Sequence, residues 1–370
     1  MNPKRLCLEA GIALRNLVSP APKAAVSQMH AIWQDTGGSC ILRRPERWLE
    51  PENGVDISII IPCYNNAPFL RRSLNSVLEQ KTRFSFEAVV IDDGSTDETP
   101  EILAHYGEKI TLITQENRGH SGARNAGLAR CRGRYLLFHD SDDTLLPGSL
   151  EALMTCAETN QADIALGGYL CHYADGTETP GLSFPDGIVT DPETVPGMTC
   201  GKLIRRQLFA MLQFPEGYWY EDSVISQILL PMAKGVYSVS TPIFSYYINP
   251  SGVSAASQGQ PKALESLYVT QRLLEERSHF GLKADIGAYT HFLHMVLLTY
   301  HRTRRLGHAV PYGVFLSQQQ LQRRYFSRLS IDCVPASFRP LAQALEDNRF
   351  RRYLWLCETL WLTRNMGGRT

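Results

Sequence analysis

Three carboxylates fall within Asp140-Ser141-Asp142-Asp143, just after the apolar run Tyr135-Leu136-Leu137-Phe138 and His139. So close a set repels itself unless a cation or ordered donors compensate. Hard oxygen donors suit Mg2+ or Mn2+, and such an ion is often shared with substrate phosphates. A local reading stays open: Asp143 or Thr144 caps a helix that starts near Pro147. A second acidic turn, Asp92-Asp93-Gly94-Ser95-Thr96-Asp97, also follows an apolar run, and its residue types equally suit a plain turn with a cap. A third cluster runs from Glu116-Asn117-Arg118-Gly119-His120-Ser121-Gly122 to Ala123-Arg124-Asn125-Ala126-Gly127. Its glycines allow close backbone approach, and Arg124 can neutralise a phosphate or orient a carboxylate. It lacks the Gly-Lys-Ser/Thr of a P-loop. A fourth cluster ends in Glu221-Asp222, ahead of the apolar-periodic stretch Ser223 to Met232. A carboxylate there serves as a helix cap or as a general base.

Buried strands must hold these groups. Ile57-Ser58-Ile59-Ile60-Ile61 is a β-branched run ended by Pro62, and Phe86 to Ile91 repeats the texture; both read as strands buried on two faces. Ile110–Thr114 and Tyr135–Phe138 add two more. Helical spacing over 68–80, from about 97 to His105, and over Ser121–Cys131 alternates with them. That alternation implies a doubly wound, mostly parallel α/β sheet. Ligands bind such sheets at the carboxyl ends of the strands. Cys63-Tyr64-Asn65-Asn66, Asp92-Asp93 and Asp140-Ser141-Asp142-Asp143 all fall there.

The flanks differ. Residues 1–54 read as a helical or irregular extension, with Leu6, Ile12, Leu14 and Leu17 on one helix face. From about 256 the spacing is wholly helical: Leu264–Leu274, Ile286–Tyr300, Leu341–Leu345 and Tyr353–Leu362. Domain boundaries are therefore expected at 1–54, 55–255 and 256–370.

Composition narrows the class. Of 370 residues 44% are hydrophobic, too many for a disordered chain. No apolar run is long enough for a spanning helix. Lys plus Arg equals Asp plus Glu at 37 each, so the basic excess of a nucleic-acid binder is absent. The nine cysteines form no C-x-x-C pair, which suits free thiols in a reducing compartment. Glu9 and Arg15 interrupt the first apolar stretch, unlike a secretory signal. A cytoplasmic protein is expected.

In order, the motifs resemble those of the family 2 glycosyltransferases, which have the GT-A fold. The matching residues are Ser58-Ile59-Ile60-Ile61-Pro62-Cys63-Tyr64-Asn65, Val90-Ile91-Asp92-Asp93-Gly94-Ser95-Thr96-Asp97, Asn117-Arg118-Gly119 with Ala123-Arg124-Asn125-Ala126-Gly127, Asp140-Ser141-Asp142-Asp143, Lys202-Leu203 and Glu221-Asp222. The likeness covers about 55–255. It implies transfer of a sugar from a nucleoside diphosphate donor, commonly a UDP-sugar, to a hydroxyl of a glycan or lipid-linked acceptor in surface-polysaccharide assembly. Pro62 and Tyr64 would lie against the base, and Asp92 or Asp93 would hydrogen-bond it. Asn117 and Arg124 would line the nucleotide pocket, with Asn66, Ser141 and Lys202 completing the donor set. Asp140 would face the ribose or sugar, Asp142 with Asp140 would hold Mg2+ or Mn2+, and Asp222 would be the base beside Glu221. One base and no evident second nucleophile suggest inversion.

Three positions depart from the family pattern. His139 stands where an apolar residue is usual; it is expected only to pack at the strand end, the alternative being an added ligand or hydrogen bond. Gln320-Leu321-Gln322-Arg323 is followed by Arg324 rather than the Trp of processive members, favouring single addition. Cys200-Gly201 precedes Lys202 where related members often have Asn. Two rival readings remain. A sugar-nucleotide-forming nucleotidyltransferase would carry a glycine-rich basic loop after the first strand, where Pro62-Cys63-Tyr64-Asn65 stands. A non-catalytic sugar-nucleotide-binding or scaffold protein would not need Asp140, Asp142 and Asp222. The segment Tyr246–Ser254 reads either as a family end-piece closing over the donor phosphates or as a strand with a polar loop. The tail sets Arg349, Arg351, Arg352 and Arg364 around Leu354, Trp355, Leu356, Leu360, Trp361 and Leu362. Such a helix either packs on the body or meets the inner face of a membrane peripherally.

Overall fold

The structure, a computed structural model, describes residues 24–33, 54–192, 195–248 and 259–367. The expected helix over Leu6–Leu17 lies outside these residues, as does the end of the Tyr246–Ser254 segment. Contacts divide the chain into two units: Gly38–Asn249, and Met1–Gly37 together with Pro250–Thr370.

The described chain opens with α1 (Ala25–Ile32), which belongs to the second unit. The first unit then runs β1 (Ile57–Cys63), α2 (Ala67–Leu78), β2 (Phe86–Asp92), α3 (Thr99–Ala104), β3 (Thr111–Thr114), α4 (Gly119–Leu128), β4 (Tyr135–Phe138), β5 (Thr144–Leu145) and α5 (Ser149–Thr159). It continues through β6 (Ile164–His172), β7 (Glu178–Pro180), β8 (Gly187–Ile188), β9 (Lys202–Arg205), a π-helical turn at Ile225–Leu229 and β10 (Val236–Tyr247). The sheet order is β3-β2-β1-β4-β9-β6-β10-β5, with β7 beside β6 and β8 beside β10. The pairings β3-β2-β1-β4 and β6-β10 are parallel, whereas β9 is antiparallel to both its neighbours. The mostly parallel α/β sheet expected from the alternation is therefore present. The strand at Tyr246-Tyr247 is the end of β10.

Burial explains the first half of the sheet. Every residue of β1 is buried, including Ser58, whose hydroxyl donates to Glu87 Oε1 at 2.6 Å and accepts from the Gly133 N–H at 2.8 Å. A buried hydroxyl so satisfied costs the strand little. Helix α4 lies close over β1 and β2 because Gly127 has no side chain. A Cβ there would come 2.5 Å from Ile60 Cγ2 and 3.0 Å from Ile91 Cδ1.

The second unit packs α1 with α6 (Glu265–Glu276), α7 (Ile286–Thr303), α8 (Ala309–Phe326), α9 (Arg339–Glu346) and α10 (Phe350–Gly367). The Asp285 side chain caps α7 by accepting the Ala288 N–H at 2.8 Å. Tyr268 of α6 donates to the Trp33 carbonyl at 3.0 Å, tying in the end of α1. Helix α8 was not among the helices expected in the tail. In α10, Tyr353, Leu354, Leu356 and Cys357 are buried, leaving Trp355 at 57% exposure beside exposed Arg351 and Arg352. Leu354 and Leu356, grouped with Trp355 in the sequence, thus face the interior. Among the described residues no helix is long and apolar enough to cross a membrane.

Candidate active site

Parallel register sets the strand ends side by side. Cys63 of β1 stands opposite Asp92 of β2, Ile60 opposite Phe138 of β4, and the His139 N–H continues that ladder to the Ile60 carbonyl. The loops leaving these strands are knitted together. Asn65, at φ +48°, accepts the Thr96 N–H through Oδ1 at 2.7 Å, and its own N–H donates to Ser95 Oγ. Asn66 Nδ2 donates to Ser141 Oγ at 2.8 Å. Asp92 accepts the Ser95 N–H, while Asp93 accepts Gln115 Nε2 at 2.7 Å and the Arg118 N–H at 2.9 Å. Asn117 accepts the Gly119 N–H through Oδ1. The structure therefore links Asn66, Asp92, Asp93, Ser141 and the Asn117–Gly119 turn into one rim. Tyr64 projects from it, half exposed. Pro62 lies within β1, opposite Ile91.

The acidic groups meet around Arg124. This side chain is 5% exposed; it pairs with Glu221 through Nη1 and with Asp140 Oδ1 through Nη2 at 3.1 Å. Burial opposes its charge, but Glu221 and Asp140 outweigh that and raise its pKa above the ordinary value. Desolvation pushes the Asp140 carboxyl up, yet Arg124, His120, the Cys200 hydrogen bond and His139 together outweigh it and hold the pKa low. Of the two roles open to Arg124, the geometry gives the orienting of carboxylates. Glu221 is thereby engaged. Asp222, half-buried, makes no side-chain hydrogen bond among the described residues, and desolvation together with Glu221 pushes its pKa up to about 6. A carboxylate so tuned suits proton transfer near neutral pH. Lys202 is buried, its Nζ donating to the Met198 carbonyl at 2.7 Å, and burial lowers its pKa to about 8.

The cap reading of Asp143 and Thr144 fails. Thr144 pairs in β5, and α5 begins only at Ser149, after Gly148. Asp143 is 1% exposed; its Oδ1 accepts the Tyr247 N–H at 2.9 Å, and its Oδ2 has no hydrogen-bond partner. Desolvation and Asp140 push Asp142 up to about 6; the same causes with Asp142 push Asp143 to about 9. Acidic groups raised first by desolvation and then by one another's charge are a set that a hard divalent cation would compensate. The residues fit Mg2+ or Mn2+. His139 is buried, 3.0 Å from Ser73 Oγ, and desolvation lowers its pKa to about 4. It is buried at the strand end, as expected, and also makes a hydrogen bond there.

Some of the site was not evident in the sequence. Arg118 Nη2 donates to both oxygens of Glu216 at 2.7 and 2.8 Å, and Asn125 Nδ2 reaches Glu216 and the Phe214 carbonyl. Ser121 donates to the Pro215 carbonyl at 2.7 Å. Helix α4 thus latches the loop that carries Glu221 and Asp222. Arg72 donates to the Asp142 carbonyl at 2.7 Å and lies 3.4 Å over the Tyr247 ring. The third cluster marked Arg118, Ser121 and Asn125 but not these pairings, since each partner is tens of residues away in the chain.

The family described as Glycosyl transferase family 2 matches residues 58–211. The chain is 30% identical over 267 residues to the uncharacterized glycosyltransferase EpsJ of Bacillus subtilis, covering 65% of this chain and 77% of EpsJ. It is 31% identical over 218 residues to the glycosyltransferase GlyA of Streptococcus pneumoniae, covering 54% of this chain but only 31% of GlyA's length. Among solved structures, S. aureus TarS 1-349 in complex with UDP-GlcNAc is similar in fold: TM-score 0.62 at 20% identity, over 84% of this chain and 92% of that one.

Proposed function

The chain belongs to glycosyl transferase family 2, and from that premise we propose that it moves a sugar, with inversion, from a nucleoside diphosphate donor to an acceptor hydroxyl. A UDP-sugar is the favoured donor, and a glycan or lipid-linked saccharide of surface polysaccharide the favoured acceptor. One observation carries the reading: Arg124 engages Glu221 and Asp140, leaving the adjacent Asp222 as the carboxylate available to accept a proton. Asp140 and Asp142 would hold Mg2+ or Mn2+, which when bound offsets the charge of the diphosphate leaving group. Tyr64 offers an exposed ring to the base, and Asp92 or Asp93, at the end of the neighbouring strand, would hydrogen-bond it. Asp222 takes the hydroxyl proton as the acceptor oxygen bonds to the anomeric carbon and the bond to diphosphate breaks. Among the described residues, Arg124 engages Glu221 and Asp140, and Asp142 is assigned to the metal, which supports one displacement with inversion. Exposed Arg351, Arg352 and Trp355 of α10 support a peripheral contact with an anionic membrane surface.

The test is a panel of nucleoside diphosphate sugars with Mg2+ or Mn2+, following release of nucleoside diphosphate. Asp142→Ala and Asp222→Asn should each lower turnover at least ~100-fold. Turnover that survives chelation and Asp142→Ala would remove the metal part of the reading. A nucleotidyltransferase would instead release pyrophosphate from a nucleoside triphosphate and a sugar phosphate.

A further inference from the structure

Three ligand atoms converge just behind the acidic loop. One oxygen each from Asp140 and Asp143 and the Cys200 sulfur lie within 4.8 Å of one another. Asp142, the residue expected to share a cation with Asp140, is not in this group. Cys200 is 4% exposed, and its position is fixed by the turn into β9. Gly201, at φ +73°, passes so close to Phe244 and the Gly167 carbonyl that a Cβ would lie 2.9 and 3.1 Å from them. The Gly201 carbonyl also accepts the Gly167 N–H at 3.0 Å. Asp143 supplies an independent sign: it is almost wholly buried, yet its Oδ2 has no partner. A buried carboxylate oxygen left unsatisfied is costly unless something else comes to it. Solvent reaches the cluster at Asp140, whose side chain is 36% exposed.

The geometry points to a cation site of Asp140, Asp143 and Cys200 that takes a thiophilic divalent ion of the Zn2+ or Cd2+ class. A thiolate with two carboxylates prefers such ions to Mg2+, and three protein ligands with one open position is a common Zn2+ arrangement. Binding forms the metal–sulfur and metal–oxygen bonds and releases the protons of Cys200 and Asp143 to solvent, with no change of oxidation state. Because Asp140 also belongs to the Asp140–Asp142 pair, the thiophilic ion and Mg2+ or Mn2+ exclude one another. That consequence rests on the proposed function, whereas the binding itself does not.

The test titrates the full chain with Cd2+, without donor or acceptor, and follows the ultraviolet cadmium–thiolate charge-transfer band. The full chain should give a saturable band that Cys200→Ser removes and Cys131→Ser, at a buried thiol elsewhere, retains. Asp143→Asn leaves every thiol in place and should weaken Cd2+ binding at least ~10-fold, as loss of even an outer partner of a metal does. It keeps the test decisive if Cys200→Ser does not fold. An unchanged band and affinity in Cys200→Ser, or unchanged affinity in Asp143→Asn, would overturn the site, whatever the outcome of the donor panel.

Discussion

Arg124 decides more of the chemistry than any other single side chain. Its partners Asp140 and Glu221 stand on different loops, and it is 5% exposed. Arg124→Met would strand both carboxylates, at a cost of about 3–5 kcal/mol, which should appear as a lower urea midpoint. Arg124→Lys keeps the charge but cannot span both carboxylates with one planar fork, so an intermediate midpoint is expected. Asp222 makes a second expectation. Its pKa is raised to about 6, and a base works only when ionised. The protonated, inactive form therefore persists up to that pH, and kcat/KM should climb as pH rises through about 6 and then level off. A flat profile between pH 5 and 7 would contradict Asp222 as base. Asp140-Ser141-Asp142-Asp143 was legible because its acidic types are adjacent in the chain. The pairing of Arg124 with Glu221 was not, because Glu221 lies 97 residues away. Cys200 beside Asp143 was hidden for the same reason.

Among the elements, α4 does two tasks. Its far side packs on β1 and β2, and its first turns latch the loop that leads to Asp222. Gly127→Ala tests the packing: the added methyl would meet Ile60 and Ile91, and overpacking of this kind costs about 1–3 kcal/mol. The expected reading is a lower denaturant midpoint with m unchanged; no shift would mean that α4 can move off the sheet freely. The early strands were legible because a β-branched run such as Ile57–Ile61 has few other uses. Helix α8 was not. Its buried face includes Gln318, Gln319 and Gln322. Gln322 donates to the Ala342 carbonyl at 3.1 Å, and Gln318 accepts from Tyr353 at 2.8 Å. Polar residues turned into a core erase the apolar periodicity by which a helix is recognised. Strand β9 was equally obscure: four residues pairing antiparallel on both sides leave little pattern, although Lys202-Leu203 marked its place.

For the whole molecule, zero net charge conceals segregation. Residues 56–255 carry 14 Lys and Arg against 24 Asp and Glu, while 256–370 carry 16 against 8. The acidic balance of −10 surrounds the proposed cation-binding loop, and the balance of +8 belongs to the helical tail. Since Leu354 and Leu356 are buried, any membrane contact of α10 rests mainly on charge. Flotation of the full chain with anionic vesicles should then fall steeply with salt. Equal flotation with neutral vesicles, or binding indifferent to salt, would contradict an electrostatic contact. This segregation was readable by counting, but which tail residues remain exposed was not, because burial depends on helix packing. The proposed transfer is tested most directly by one comparison. The 370-residue chain and its Asp222→Asn variant are supplied with a turned-over nucleoside diphosphate sugar, Mn2+ and acceptor, and both nucleoside diphosphate release and donor binding are measured. Turnover reduced at least ~100-fold with donor affinity retained is expected. Undiminished turnover in Asp222→Asn would contradict it.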